Sequence, residues 1–148
     1  MRLGLTGVGS LAVRALELRP DGRFGGSRLR RVLAAIPPID ADSVFEMVMA
    51  RLLDQGGLVD HRHHHRVDVG GITYELDFAF VAEQLGIECD GAAFHDRPSR
   101  RVRDATRDAD LARAGWRIMH FGWDDVTVQA GRTRRRILEA LGRGGVGD

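Results

Sequence analysis

Residues 72–91 read ITYELDFAFVAEQLGIECDG, and the period of the apolar residues in this stretch decides the fold. Apolar and polar side chains alternate from Tyr74 to Phe80 and again from Leu85 to Asp90, the period of two that marks half-buried strands. VAEQ lies between them and supplies the turn, centred on Ala82 and Glu83. An antiparallel hairpin closed there sets Asp77 opposite Glu88 and Glu75 opposite Asp90. Alternation then places Tyr74, Leu76, Phe78, Phe80, Leu85, Ile87 and Cys89 on one face, expected to be core, and the four acids on the other.

Directly opposed side chains carry Cβ atoms about 5 Å apart, and like charges so placed repel. Two readings of the acidic face compete. One is a solvated strand face with its charges in water. The other is a site for a hard divalent cation, because Mg²⁺ takes carboxylate, carbonyl and water oxygens and needs only one or two carboxylates. A solvated face ordinarily mixes signs, whereas this hairpin face holds four acids and no base.

Upstream, Ser43-Val44-Phe45-Glu46 has the form of a capping box and opens a helix predicted over Ser43 to Gln55, stopped by Gly56-Gly57. Glu46 therefore has its own two readings, a cap for the Ser43 backbone or a third carboxylate for the hairpin. A first strand begins near Arg66. Downstream, His95 and Asp96 lie in a loop. A helix follows over Arg100 to Ala114 with Gly115 as its stop, then a strand WRIMHF and a last helix over Arg132 to Leu141. The order α-β-β-β-α-β-α predicts an α/β (α+β) domain over residues 41–142, with a four-stranded mixed sheet flanked by helices. Residues 1–40 read as a helical appendage or linker, the remnant of a larger N-terminal region, and 143–148 as a disordered tail.

Of 148 residues, 43% are apolar and 29% charged, an ordinary globular balance with net charge +1. All 22 basic residues are arginine, so any chemistry that requires lysine must be supplied differently. The single cysteine excludes an internal disulfide and a cysteine-cluster metal site. No run approaches the roughly 18 apolar residues of a membrane span, and the expected location is the cytoplasm. His61-Arg62-His63-His64-His65 is set aside as a metal site, because neighbours on an extended chain point in opposite directions and spacing fixes no partner acid. Cys89, on the apolar face, reads as a packing thiol.

These pieces in this order resemble the PD-(D/E)xK nuclease superfamily, and within it the branch similar to very-short-patch-repair (Vsr) endonucleases. The resemblance covers about Asp42 to Leu141. It rests on Ser43 to Glu46, Leu76-Asp77-Phe78, Ile87 to Gly91 with His95, Asp104-x-x-Arg107 with Leu111 and Gly115-Trp116, and the strand ending at Phe121. It implies a restriction-endonuclease-like core and hydrolysis of a DNA phosphodiester, with Mg²⁺ as cofactor and Mn²⁺ able to substitute. It further implies metal ligation by Asp77, Glu88 and the Cys89 main-chain carbonyl, with Glu46 and His95 as further catalytic groups. Asp90 stands where the superfamily has lysine, which leaves His95 for proton transfer and Arg107 for fixed positive charge. Arg97, Arg100, Arg101 and Arg103 are placed to grip the DNA backbone. The same branch includes domains joined to AbiEi-type antitoxin-like regions. An inactive nucleic-acid or protein-binding module with a toxin-antitoxin or defence partner is therefore the alternative, and RNA is the alternative substrate.

Overall fold

The computed structural model describes residues 38–91 and 98–144, with the side chains of 38–41 and 98–101 left aside. The expectations for residues 1–37, for His95 and Arg97, and for 145–148 lie outside the described residues, as do those for the side chains of Arg100 and Arg101.

Helix α1 (Pro38–Gln55) starts five residues before Ser43. Proline suits a first helical position, where no N–H is needed and φ is already near the helical value. Ser43 is therefore inside the helix, and the capping-box reading of Ser43 and Glu46 is overturned. Val44, Phe45, Val48, Met49, Leu52 and Leu53 form one buried stripe at helical spacing. The helix closes at Gly57, φ +72°, where Leu58 N–H donates to Leu53 O at 2.9 Å and Gly57 N–H to Asp54 O at 3.0 Å.

Four strands follow in the order β1-β2-β3-β4: β1 (Arg62–Val69), β2 (Ile72–Phe80), β3 (Leu85–Cys89) and β4 (Arg117–Phe121). β1 pairs antiparallel with β2, and β2 with β3. β4 returns parallel to β3 after the crossover helix α2 (Pro98–Arg113), so the sheet is mixed, as predicted. β1 begins four residues earlier than expected and takes the histidine run into the sheet. The expected last helix is α4 (Ala130–Ala140), and a short helix that was not expected, α3 (Trp123–Thr127), precedes it. The corner between them is held by Asp125, whose carboxylate accepts the Gly122 N–H at 2.8 Å and whose carbonyl accepts the Thr133 hydroxyl at 2.8 Å.

Helices cover both faces. The α1 stripe, with Val126 and Ile137 of α3 and α4, packs on Phe78, Phe80, Leu85, Ile87 and Phe121. On the other face Leu111 of α2 and Trp116 meet Val67, Leu76 and Ala79. No helix among the described residues is long and apolar enough to cross a membrane. Arg143, the first residue of the expected tail, donates to both carboxylate oxygens of Asp60, at 2.8 and 2.5 Å, and also bonds Glu83.

The hairpin turns where predicted and keeps the predicted register through Phe80↔Leu85, Ala79↔Gly86 and Phe78↔Ile87. The facial assignment does not hold along β2. Leu76 and Tyr74 belong to the α2 side, whereas Phe78 and Phe80 belong to the α1 side. β1 changes sides at the same level, since His63 packs edge-on against Phe78 at 4.5 Å and His65 lies 5.4 Å from Trp116. His64, between them, has φ +49°, and the ladder pairs His63↔Phe78 and His65↔Leu76 on either side of His64 and Asp77. The two strands turn over together at that pair. Strict alternation misses this because it assumes extended backbone at every residue.

Candidate metal centre

β3 leaves β2 after Ile87. The Cys89 N–H donates to Asp77 Oδ2 at 2.7 Å, while Asp90 N–H donates to Phe121 O at 2.8 Å and keeps the strand against β4. A cavity of about 340 Å³ opens at this fork. Asp42 and Glu46 enter it from α1, Asp77 from β2, Glu88, Cys89 and Asp90 from β3, Asp104 and Arg107 from α2, and His120 from β4.

Asp77 and Glu88 thus share the cavity, together with Glu46, whose carboxylate is free of any capping role. Glu75 and Asp90 do not meet, contrary to expectation. Glu75 lies 3.2 Å from His64 Nδ1 and 3.3 Å from Arg66 Nε, and Asp90 lies 3.1 Å from His120 Nδ1. The acids also have basic side chains beside them, which arrive from other elements and so escape a reading confined to the hairpin. Arg107 Nη2 donates to Glu88 Oε1 at 2.7 Å and to the Glu75 carbonyl at 2.6 Å. His64 Nε2 is 3.1 Å from Glu46. His120 Nε2 is 2.9 Å from Asp108.

Glu46, His64 and Asp77 each offer one ligand atom, and the three atoms lie within 4.8 Å of one another. Nothing in the spacing of His64 says that Glu46 of α1 comes within reach of it. His120 was overlooked as well, yet it carries a legible signal as a polar residue within the apolar run from Ile118 to Phe121, paired in parallel register with Glu88.

Burial governs the electrostatics of the cavity. It pushes the Glu88 carboxyl up to about 7, with the Arg107 hydrogen bond opposing and the Asp77 charge reinforcing. Burial likewise raises Asp77 against the Cys89 N–H, and raises Glu46 with help from Asp77. Burial and the acids around it raise the Cys89 thiol, so a thiolate has no place here. His120 goes up to about 9, because hydrogen bonding to Asp90 outweighs burial. Each of its ring nitrogens meets an acceptor-only carboxylate, which makes it an imidazolium.

A carboxyl raised by folding contributes stability that is present below its unfolded value of 4.5 and lost as pH rises through about 7. The metal-free protein is therefore expected to melt at progressively lower temperature from pH 5 to pH 8. Glu88→Gln should reduce that slope between pH 5 and pH 7 in thermal melts with EDTA, and leave the fall that His120 contributes at higher pH. An unchanged slope in the variant would show that Glu88 is not its source.

A mixed sheet between helices, with carboxylates gathered where β2 and β3 part, is the architecture of the restriction-endonuclease-like class. The chain matches the family model REase_MTES_1575 over residues 45–141, and it belongs to that restriction-endonuclease-like family. The catalytic domain of the homing endonuclease I-Bth0305I shares the fold, with a TM-score of 0.52 at 19% identity, over 68% of this chain and 96% of that domain. An uncharacterized protein of Mycobacterium tuberculosis strain H37Rv is 36% identical over 74 residues, 50% of this chain and 27% of that protein. An uncharacterized protein of Haemophilus influenzae strain Rd is 38% identical over 55 residues, 37% of this chain and 45% of that protein. The chain spans less than half the length of both relatives.

Proposed function

We propose that this cavity is the active site of a metal-dependent endodeoxyribonuclease that uses Mg²⁺, with Mn²⁺ able to substitute. The observation that carries the reading is the convergence of Glu46, Asp77 and Glu88 from three separate elements on one cavity. Fold alone would not suffice, since one fold hosts many activities. The donors fit a hard cation. Asp77 and Glu88 are both raised by burial, so their charges are undercompensated in the metal-free protein.

Asp77 and Glu88 would hold the ion. The Cys89 carbonyl would join them, because a strand residue's N–H and C=O leave the same edge and its N–H points to Asp77. When bound, the ion activates water and neutralises charge on the scissile phosphate and its leaving oxygen. Glu46 orients the attacking water or completes a metal shell, and His95 takes or returns the proton. Arg107 pins Glu88 in a single orientation and adds the positive charge for which this chain has no lysine. Asp90 has no ammonium to offer in the lysine position and instead anchors His120. A role in DNA repair or defence, with nicking as one form of cleavage, belongs to this reading.

Incubation of supercoiled plasmid with the purified chain tests it. Nicked or linear product is expected with Mg²⁺ or Mn²⁺ and not with EDTA. Cleavage indifferent to EDTA would sink the metal reading, and plasmid bound but uncleaved under both ions would favour a binding module.

Arg97, Arg100, Arg101 and Arg103 grip the DNA backbone in this reading, and Arg103 stands exposed near the start of α2. Arg103→Ala is expected to weaken binding equally across DNA sequences and to lower the salt slope by about one. A sequence-dependent loss in fluorescence anisotropy titrations would contradict a pure phosphate contact.

A further inference from the structure

His64 has a role that the proposed ligand set does not use. It stands in the left-handed region inside a strand, at the level where β1 and β2 turn over. That turn separates it from its neighbours. His63 packs on Phe78 and His65 on Trp116, while the His64 ring lies between Glu46 of α1 and Glu75 of β2, at 3.1 and 3.2 Å. Its ligand atom is within 4.8 Å of those of Glu46 and Asp77. Ligand distances of about 2.1 Å hold any two donors of one ion within about 4.2 Å of each other, so this trio needs to close by less than an ångström.

We propose that His64 coordinates the cavity's metal ion directly, beside Asp77 and Glu46, and that its imidazole makes the centre select first-row transition ions over Mg²⁺. The inference rests on the metal-dependent reading above and sharpens it. Mg²⁺ keeps to oxygen donors, whereas ions from Mn²⁺ through Zn²⁺ accept an imidazole nitrogen increasingly well. One nitrogen among carboxylates is enough to separate the two groups. The ring is half exposed, so its replacement removes a donor without opening the core.

Calorimetric titration with Mg²⁺, Mn²⁺ and Co²⁺ tests the idea on the full chain, His64→Asn and Asp77→Asn. Asparagine tolerates the left-handed backbone, and His64→Gln serves as a second variant. The unaltered chain is expected to bind Mn²⁺ and Co²⁺ at least about tenfold more tightly than Mg²⁺, and His64→Asn to lose that preference. Electron spin-echo spectra of bound Mn²⁺ should show imidazole nitrogen coupling that vanishes in His64→Asn. Coupling that persists in the variant would overturn the assignment, as would equal Mg²⁺ and Mn²⁺ affinities unchanged by it. Transition-ion binding that survives Asp77→Asn would do the same by placing the ion on other histidines. Absence of binding by all three ions would instead remove the metal-dependent reading itself, and this inference with it.

Discussion

Asp77→Asn is expected to reduce metal-dependent plasmid cleavage by roughly a thousandfold or more, since the ion's charge stabilisation of the transition state is worth several kcal/mol and Asp77 is its proposed central ligand. The fold should survive. Asparagine keeps an oxygen that accepts the Cys89 N–H now bonded to Asp77 Oδ2. Burial raises the Asp77 carboxyl, so its ionised form opposes folding above the usual carboxylate range, and an amide removes that penalty. The variant's melting temperature at pH 8 in EDTA should therefore match or exceed that of the unaltered chain, with no gain near pH 4. Cleavage retained at full rate would remove Asp77 from the site. Lost cleavage with a collapsed melting temperature would make Asp77 a structural residue.

Arg107→Ala carries the largest expected effect on stability. The guanidinium is bonded both to Glu88 and to the Glu75 carbonyl, and both acceptors lose their donor at once. Removing one partner of a fully buried ion pair costs about 3–5 kcal/mol, and with Arg107 22% exposed about 2–3 kcal/mol is expected here. The loss should depend on pH. Arg107 is among the groups holding the Glu88 carboxyl down, so the variant's Glu88 rises further and stays neutral to higher pH. Urea denaturation should show the larger deficit at pH 8, where Glu88 ionises, and a smaller one at pH 5. Equal deficits at both would assign the effect to the Glu75 carbonyl and lost packing. Arg107→Lys should recover only part, because a point charge does not bridge two acceptors as the planar fork does.

What the sequence made legible was local. The hairpin's register beside its turn, the turn at Ala82 and Glu83 and the stop at Gly115 are set by neighbouring residues, and the structure has all three. Turnover at His64 and Asp77 is not local, because each strand's phase depends on which helix covers it. The same holds for the basic side chains. Arg107, His64 and His120 reach the acids from α2, β1 and β4, and spacing within the hairpin says nothing about those approaches. The start of α1 was misplaced for a different reason, since Ser-x-x-Glu marks a helix start only when nothing upstream continues the helix. Pro38 continues it.

The central claim is that one ion sits between Asp77 and its neighbours in this cavity. Anomalous diffraction from crystals soaked in millimolar Mn²⁺ tests it most directly. The account predicts one dominant peak within bonding distance of an Asp77 carboxylate oxygen, at the fork between β2 and β3. A soaked crystal with an accessible, empty cavity, or with Mn²⁺ bound only at His61 and His63, would contradict it.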